Sequence, residues 1–215
     1  MTETKNLPAK FITVEGVEGV GKTTNIDAMR GVLEQRGIDF ILTREPGGTP
    51  LAEEIRDMLL KDQDENVTSQ TELLLIFAAR AQHLNQVIKP SLDQGVWVIC
   101  DRFTDATYAY QGGGRGIDSA KISLLENLVQ EELRPDLTLI LDLDPQVGLS
   151  RATNRGELDR FEKQQLDFFD RVRKVYLQRA AAEPHRCVII DASHELEQVK
   201  ASVAAAMEAL CDSID

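Results

Sequence analysis

Short runs of β-branched and other apolar residues alternate along the chain with longer stretches in which apolar positions recur every three or four residues. The runs Phe11 to Glu15, Asp39 to Arg44, Val96 to Asp101, Leu137 to Asp142 and Cys187 to Asp191 predict five strands. Between them, Ile26, Met29 and Leu33 mark a first helix that Gly37 ends. The same spacing recurs at Ile122, Leu125, Val129 and Leu133, and again at Leu196, Val199, Val203, Met207 and Leu210. A long helix over Thr71 to Pro90 carries the stripe Leu73, Ile76, Phe77, Leu84, Val87 and Ile88. This alternation predicts an α/β fold, a doubly wound five-stranded parallel sheet covered on both faces. With no internal repeat and no low-complexity linker, residues 1–215 read as one domain.

The first strand runs straight into Gly16-Val17-Glu18-Gly19-Val20-Gly21-Lys22-Thr23, the spacing G-x-x-x-x-G-K-T of a phosphate-binding P-loop. Backbone N–H groups must converge on phosphate oxygens, and glycines relieve the steric bar on that turn. Lys22 adds a point charge at the outer phosphates, Thr23 offers a hydroxyl to Mg²⁺, and the helix that begins there, with Thr24 in its first turn, aims its positive dipole end at the same anion.

Composition narrows the partners. A net charge of -12 repels a nucleic-acid backbone, but a few local arginines can hold a small phosphorylated ligand at short range. The longest apolar run, Leu73 to Ala79, is too short to span a bilayer, and the opening residues lack a signal-peptide core, so a soluble cytoplasmic protein with no membrane partner is expected. Three cysteines without C-x-x-C spacing suggest neither a disulfide framework nor a zinc site.

Ligands in open α/β sheets bind beyond the carboxyl ends of the strands. There the second strand delivers Arg44 within Thr43-Arg44-Glu45-Pro46-Gly47-Gly48, and the third delivers Asp101-Arg102. Two arginines on the rim that carries the P-loop suit a second phosphate. Asp101 is the preferred Mg²⁺-side carboxylate, with Asp142 and Asp144 as competitors. Arg80 falls inside an apolar helix stripe, where an unpaired guanidinium is costly, so it should meet a carboxylate or a polar ligand in a cleft. Ile76 or Phe77 could wall the same cleft. Tyr110 and Gln111 pair an aromatic plane with an amide suited to a base edge, and the glycines after them let the backbone come close. The arginine-dense segment from Arg151 to Arg160, broken by Gly156, reads beside a P-loop as part of a mobile lid over 151–162 that supplies positive charge and excludes water.

Together the P-loop with Glu18, Arg44-Glu45-Pro46-Gly47-Gly48, Phe77-Ala78-Ala79-Arg80, Asp101-Arg102, Ala109-Tyr110-Gln111-Gly112 and Arg155-Gly156-Glu157-Leu158-Asp159-Arg160 resemble the bacterial thymidylate kinases, over nearly the whole chain. The resemblance implies a P-loop nucleoside monophosphate kinase fold, a homodimer, and transfer of the γ-phosphoryl of ATP to dTMP with Mg²⁺. By position it implies that residues 16–24 and Arg151 hold ATP, that Thr23 and Asp101 serve the metal, and that Arg44 and Arg102 clamp the dTMP phosphate. It likewise implies that Glu18 lies near the sugar 3′-hydroxyl, that Arg80 meets the thymine edge, that Tyr110 crowds out a ribose 2′-hydroxyl, and that Thr107 and Gln111 complete the contacts.

Family members carry the catalytic arginine either in the P-loop or in the lid. Position 19 is glycine here, which points to the lid, with Arg155 first and Arg151 and Arg160 as alternatives. Ala106 replaces a common serine, and Ile76 stands where the family usually has an aromatic, leaving Phe77 one position later to reach the base. A regulatory GTPase would need N-K-x-D and D-x-x-G, and neither occurs.

Overall fold

The computed structural model describes residues 8–62, 64–153 and 159–213. Five parallel strands, β1 (Phe11–Glu15), β2 (Phe40–Arg44), β3 (Trp97–Asp101), β4 (Leu137–Asp142) and β5 (Cys187–Asp191), form one sheet in the order β2-β3-β1-β4-β5. All five strands lie within one residue of the expected bounds. β1 is central, pairing with β3 through Val14↔Asp101 and with β4 through Glu15↔Ile140. Its five residues are buried, as a strand covered on both faces requires.

Alternation along β1 and β3 sorts the two faces. Phe11, Val98 and Cys100 join Leu84, Ile88 and Phe103 in one cluster. Ile12, Val14 and Ile99 join Met29, Val32 and Leu33 of α1 (Lys22–Arg36) and Val199, Val203 and Met207 of α9 (Leu196–Asp212) in another. Gly37 ends α1 in the left-handed conformation, φ 66°, so the Gly37 and Ile38 amides can donate back to the last turn. Thr49 caps α2 (Pro50–Leu60): its hydroxyl accepts from the Ala52 amide, and Pro50 follows at a position where no amide partner is missed.

The helix expected over Thr71 to Pro90 begins as α3 (Ser69–His83) and passes through a π-helical turn, Leu84–Ile88, into the short α4 (Lys89–Asp93). Pro90 therefore does not end it. Widening the preceding turn gives the ring room against the carbonyl it would otherwise strike, and Lys89 donates five residues back to Leu84.

After β3 comes α5 (Thr104–Thr107), a second π-helical stretch at Tyr108–Gly114, and α6 (Ser119–Gln130). The glycine run here serves a helix: a Cβ on Gly113 would lie 2.7 Å from Val175 and one on Gly114 2.4 Å from Phe168, both on α8 (Leu166–Ala182). The remaining helix, α7 (Pro145–Thr153), follows β4.

Asp105 joins these layers. Its buried carboxylate accepts from Arg186 at 2.8 and 3.0 Å and from Arg179 at 2.8 Å, and Arg186 also donates to Thr138 on β4. Asp105→Ala should lower stability by about 3 to 5 kcal/mol, because buried Arg186 loses its main counter-charge. Urea unfolding checks this as a fall in midpoint with unchanged slope.

Candidate active site

The loop after β1 turns through Gly16, Gly19 and Gly21, at φ 135°, 73° and 86°. Val17 and Val20 bury their side chains, 3% exposed each, which pins the loop to the core and leaves its backbone to face outward. No side chain caps the first turn of α1, so those amides are available to an anion. Lys22 Nζ rests on the Gly16 and Val17 carbonyls at 3.2 and 3.3 Å. Burial, and then the Arg102 charge, bring its pKa down to about 8.

Gly19, Gly21, Lys22, Thr23 and Thr24 line one end of a cleft of about 390 Å³, and Arg80, Arg102, Thr107, Tyr110 and Gln111 line the other. Glu18 joins the two ends. Its carboxylate accepts from Arg102 at 2.8 Å and from the Tyr110 hydroxyl at 2.7 and 2.8 Å, while Arg102 also donates to the Gly16 carbonyl at 2.8 Å. Arg102 takes a left-handed conformation, φ 68°, uncommon for a residue with a side chain. The next amide, Phe103 N–H, donates to Glu15 at 2.7 Å, and Tyr176 donates to the other oxygen of that carboxyl at 2.8 Å.

Arg80 is 1% exposed and lies between the Phe77 and Phe103 rings, 4.8 and 4.9 Å from their centres. It donates to Glu45 at 2.7 Å and to Thr107 at 2.9 Å, and His83 braces the same glutamate. Its Nη1 has no partner among the described residues. A buried donor left open on a side chain that lines the cleft suits an acceptor atom of a ligand.

Asp101 Oδ1 is likewise buried and unpartnered among the described residues, and Asp101 lines the cleft together with Thr23. A carboxylate and a hydroxyl suit Mg²⁺, which keeps several waters and binds substrate phosphates besides. The competing carboxylates are engaged elsewhere: Asp142 accepts two bonds from Arg173 at 2.7 and 2.8 Å, and Asp144 accepts from the Gln146 amide.

A family model described as thymidylate kinase matches residues 14–203, from the P-loop to the last helix. The chain belongs to the thymidylate kinase family. It is 55% identical over 199 residues to the thymidylate kinase of Hahella chejuensis, covering 93% of this chain and 96% of that one. To that of Ectopseudomonas mendocina it is 57% identical over 203 residues, covering 94% and 97%. The crystal structure of thymidylate kinase from Ehrlichia chaffeensis matches with a TM-score of 0.75 at 38% identity, covering 93% and 98%.

Within this thymidylate kinase fold, two expected contacts lie off the cleft. Arg44 is half exposed and pairs with Glu53 at 2.8 Å, and that carboxylate also accepts from the Gly48 amide at 2.8 Å, so Arg44 braces the loop. Arg56 lines the cleft in its stead. It donates to the Pro46 carbonyl at 2.9 Å, and desolvation, then the nearby Arg44 charge, lower its pKa. The missed signal was its helix position: Arg56 borders the buried stripe Ala52, Ile55 and Leu59, much as Arg80 borders its own.

Phe77 packs with Leu73 and Ile122 and under Arg80, while Ile76 lines the cleft. A one-residue step on a helix turns a side chain by about 100°, and Arg80, one turn on from Ile76, directs that face to the cleft. Arg151 lines it, and so do Asp159, Phe161 and Glu162. Arg160 is turned to Glu72 at 2.6 Å and the Leu59 carbonyl at 2.7 Å. Arg155 lies outside the described residues.

Burial, and then the Asp105 charge, raise the Glu15 pKa from 4.5 to about 7. The folded chain therefore keeps a proton there that the unfolded chain has released, and stability falls as pH rises through that window. Glu15→Gln cannot titrate, so wild-type stability should decline relative to the variant between about pH 5 and about pH 8, as read by urea unfolding at each end. A pH-independent difference would show that Glu15 titrates normally.

Proposed function

We propose that this enzyme transfers the γ-phosphoryl group of ATP to dTMP, giving dTDP and ADP on the way to dTTP. The observation that carries this reading is the Glu18 bridge, by which a P-loop carboxylate holds the arginine and tyrosine of the acceptor end. Two anion pockets thus share one cleft. Lys22 and the loop amides grip the ATP phosphates, Arg102 and Arg56 the dTMP phosphate, and Arg80 Nη1 donates to thymine between Thr107 and Gln111. Tyr110, buried against Glu18, narrows the sugar site against a 2′-hydroxyl. Ile76 supplies the apolar wall beside the base.

Mg²⁺ held at Thr23 and Asp101 would neutralise charge on the phosphate oxygens. The accepting phosphate oxygen is already ionised near neutral pH, so no general base is needed, and the chain contributes positioning and charge. Residues on both sides of 154–158 line the cleft, which supports 151–162 as the lid and Arg155 as the arginine that meets the transferring group. Among the described residues no helix is long and apolar enough to cross a membrane, and we place the reaction in the cytoplasm, where ATP is drawn upon.

An ADP-release assay across dTMP, dUMP, dCMP, AMP and UMP should give highest turnover with dTMP; preference for another acceptor would refute the substrate. Arg155→Ala should lower turnover by about three orders of magnitude with dTMP binding nearly intact. Arg102→Ala should instead weaken dTMP binding by about 1.5 to 3 kcal/mol, the scale of a charged hydrogen bond.

The homodimer also belongs to this reading. Leu124 and Leu128, 67% and 73% exposed, stand one turn apart on α6, and α3 beside it exposes Leu74. Such a face is costly in water and suits burial against a second copy. Light scattering should give twice the chain mass for the wild type and a monomer for Leu128→Glu.

A further inference from the structure

Two glycines meet where α7 crosses the P-loop. A Cβ built on Gly19 would lie 2.0 Å from the Gly148 carbonyl oxygen, and one on Gly148 would lie 2.4 Å from the Glu18 carbonyl oxygen. No side chain fits between, so the helix backbone rests directly on the loop backbone. Gly19 has a conformational reason to be glycine, since its φ is 73°. Gly148 has none: it sits inside α7, where glycine weakens the helix relative to alanine. Close approach is what remains to account for it.

The consequence falls on Arg151. That residue follows Gly148 by three positions, close to one helical turn, and its side chain lines the phosphate end of the cleft beside Gly19, Lys22 and Thr23. How near α7 lies to the loop therefore sets how far the Arg151 guanidinium stands from an anion cradled there. We propose that Gly148 is a positioning residue for the phosphoryl donor, holding α7 against the P-loop so that Arg151 reaches the ATP phosphates. The inference rests on the reading of Arg151 as an ATP contact. A side chain at 148 must push helix and loop apart, and backbone on both sides leaves no flexible group to yield.

The acceptor end is tied to this contact only through Glu18, whose side chain holds Arg102 and Tyr110 while its backbone carbonyl meets Gly148. Arg80 is carried by α3 and Arg102 by the turn after β3, and neither is among the nearest neighbours of a Cβ at 148. The disturbance should therefore divide between the two substrates. In the full-length enzyme, Gly148→Ala should lower kcat/KM for ATP by about tenfold or more, a scale set by displacements near an ångström. Its dTMP dissociation constant, by calorimetry, should change by clearly less than the ATP term, since only the Glu18 carbonyl and not its carboxylate is displaced, and its Tm should fall, because the two backbones are forced apart.

In an Arg151→Ala background, the same Gly148→Ala change should have little further effect on ATP kinetics, because the group it positions is gone. Equal ATP kinetics in wild type and Gly148→Ala, full additivity of the two changes, or a parallel loss of ATP and dTMP affinity would each overturn the proposal. Should Gly148→Ala not fold, Gly19→Ala opens the same contact from the loop side, and unchanged ATP kinetics there overturns it as well. A wild-type enzyme inactive on dTMP would instead refute the proposed reaction. An active wild type with an indifferent Gly148→Ala variant refutes this inference alone.

Discussion

A buried carboxyl at the end of the central strand holds the Arg102 side of the cleft in shape. Glu15 is fully buried, so its carboxyl must be satisfied within the protein, and the bonds it accepts from the Phe103 amide and the Tyr176 hydroxyl fix the turn that follows β3. Only with that turn fixed does Arg102 keep its left-handed backbone and send its guanidinium back across the P-loop to Gly16 and Glu18. The left-handed conformation costs free energy for a residue with a Cβ, and the surrounding bonds over-determine it. One strand end thereby organises both ends of the cleft, because the P-loop leaves β1 at the residue that holds the arginine turn.

Charge is arranged on the same principle. The chain carries -12 overall, yet Lys22, Arg56, Arg80, Arg102 and Arg151 converge on one cleft. Each of the more buried cations has a fixed oxygen beside it: Lys22 on loop carbonyls, Arg56 on Pro46, Arg80 on Glu45 and Arg102 on Glu18. Such partners let the charges exist without ligand in a low-dielectric site. They also aim them, which is what phosphoryl transfer between two anions requires of a protein.

Much of this was legible in the chain. Strands came out within a residue because short β-branched runs set between helical stripes have few other ways to fold, and Gly37 ended α1 for the steric reason that favours glycine at a left-handed cap. Arg80 was legible as a buried, paired cation because its place in an apolar stripe left it no water. Arg44 misled because a strand-end position says which rim a residue occupies and nothing of where its head turns; Glu53, nine residues on, captures it. The Pro90 boundary misled because a π-helical turn, which no local pattern announces, relieves the proline.

The sequence by itself determined the order of elements, the phosphate loop, the family and most of the residues that reach the cleft, because these follow from local periodicity and from motifs whose spacing is their chemistry. Tertiary structure alone decided which of two candidates lines the cleft, Ile76 over Phe77 and Arg56 over Arg44, and why Gly113, Gly114 and Gly148 carry no side chains. Those choices depend on helix phase and on backbones brought together from distant parts of the chain. No local pattern encodes the distance between two segments until both have folded.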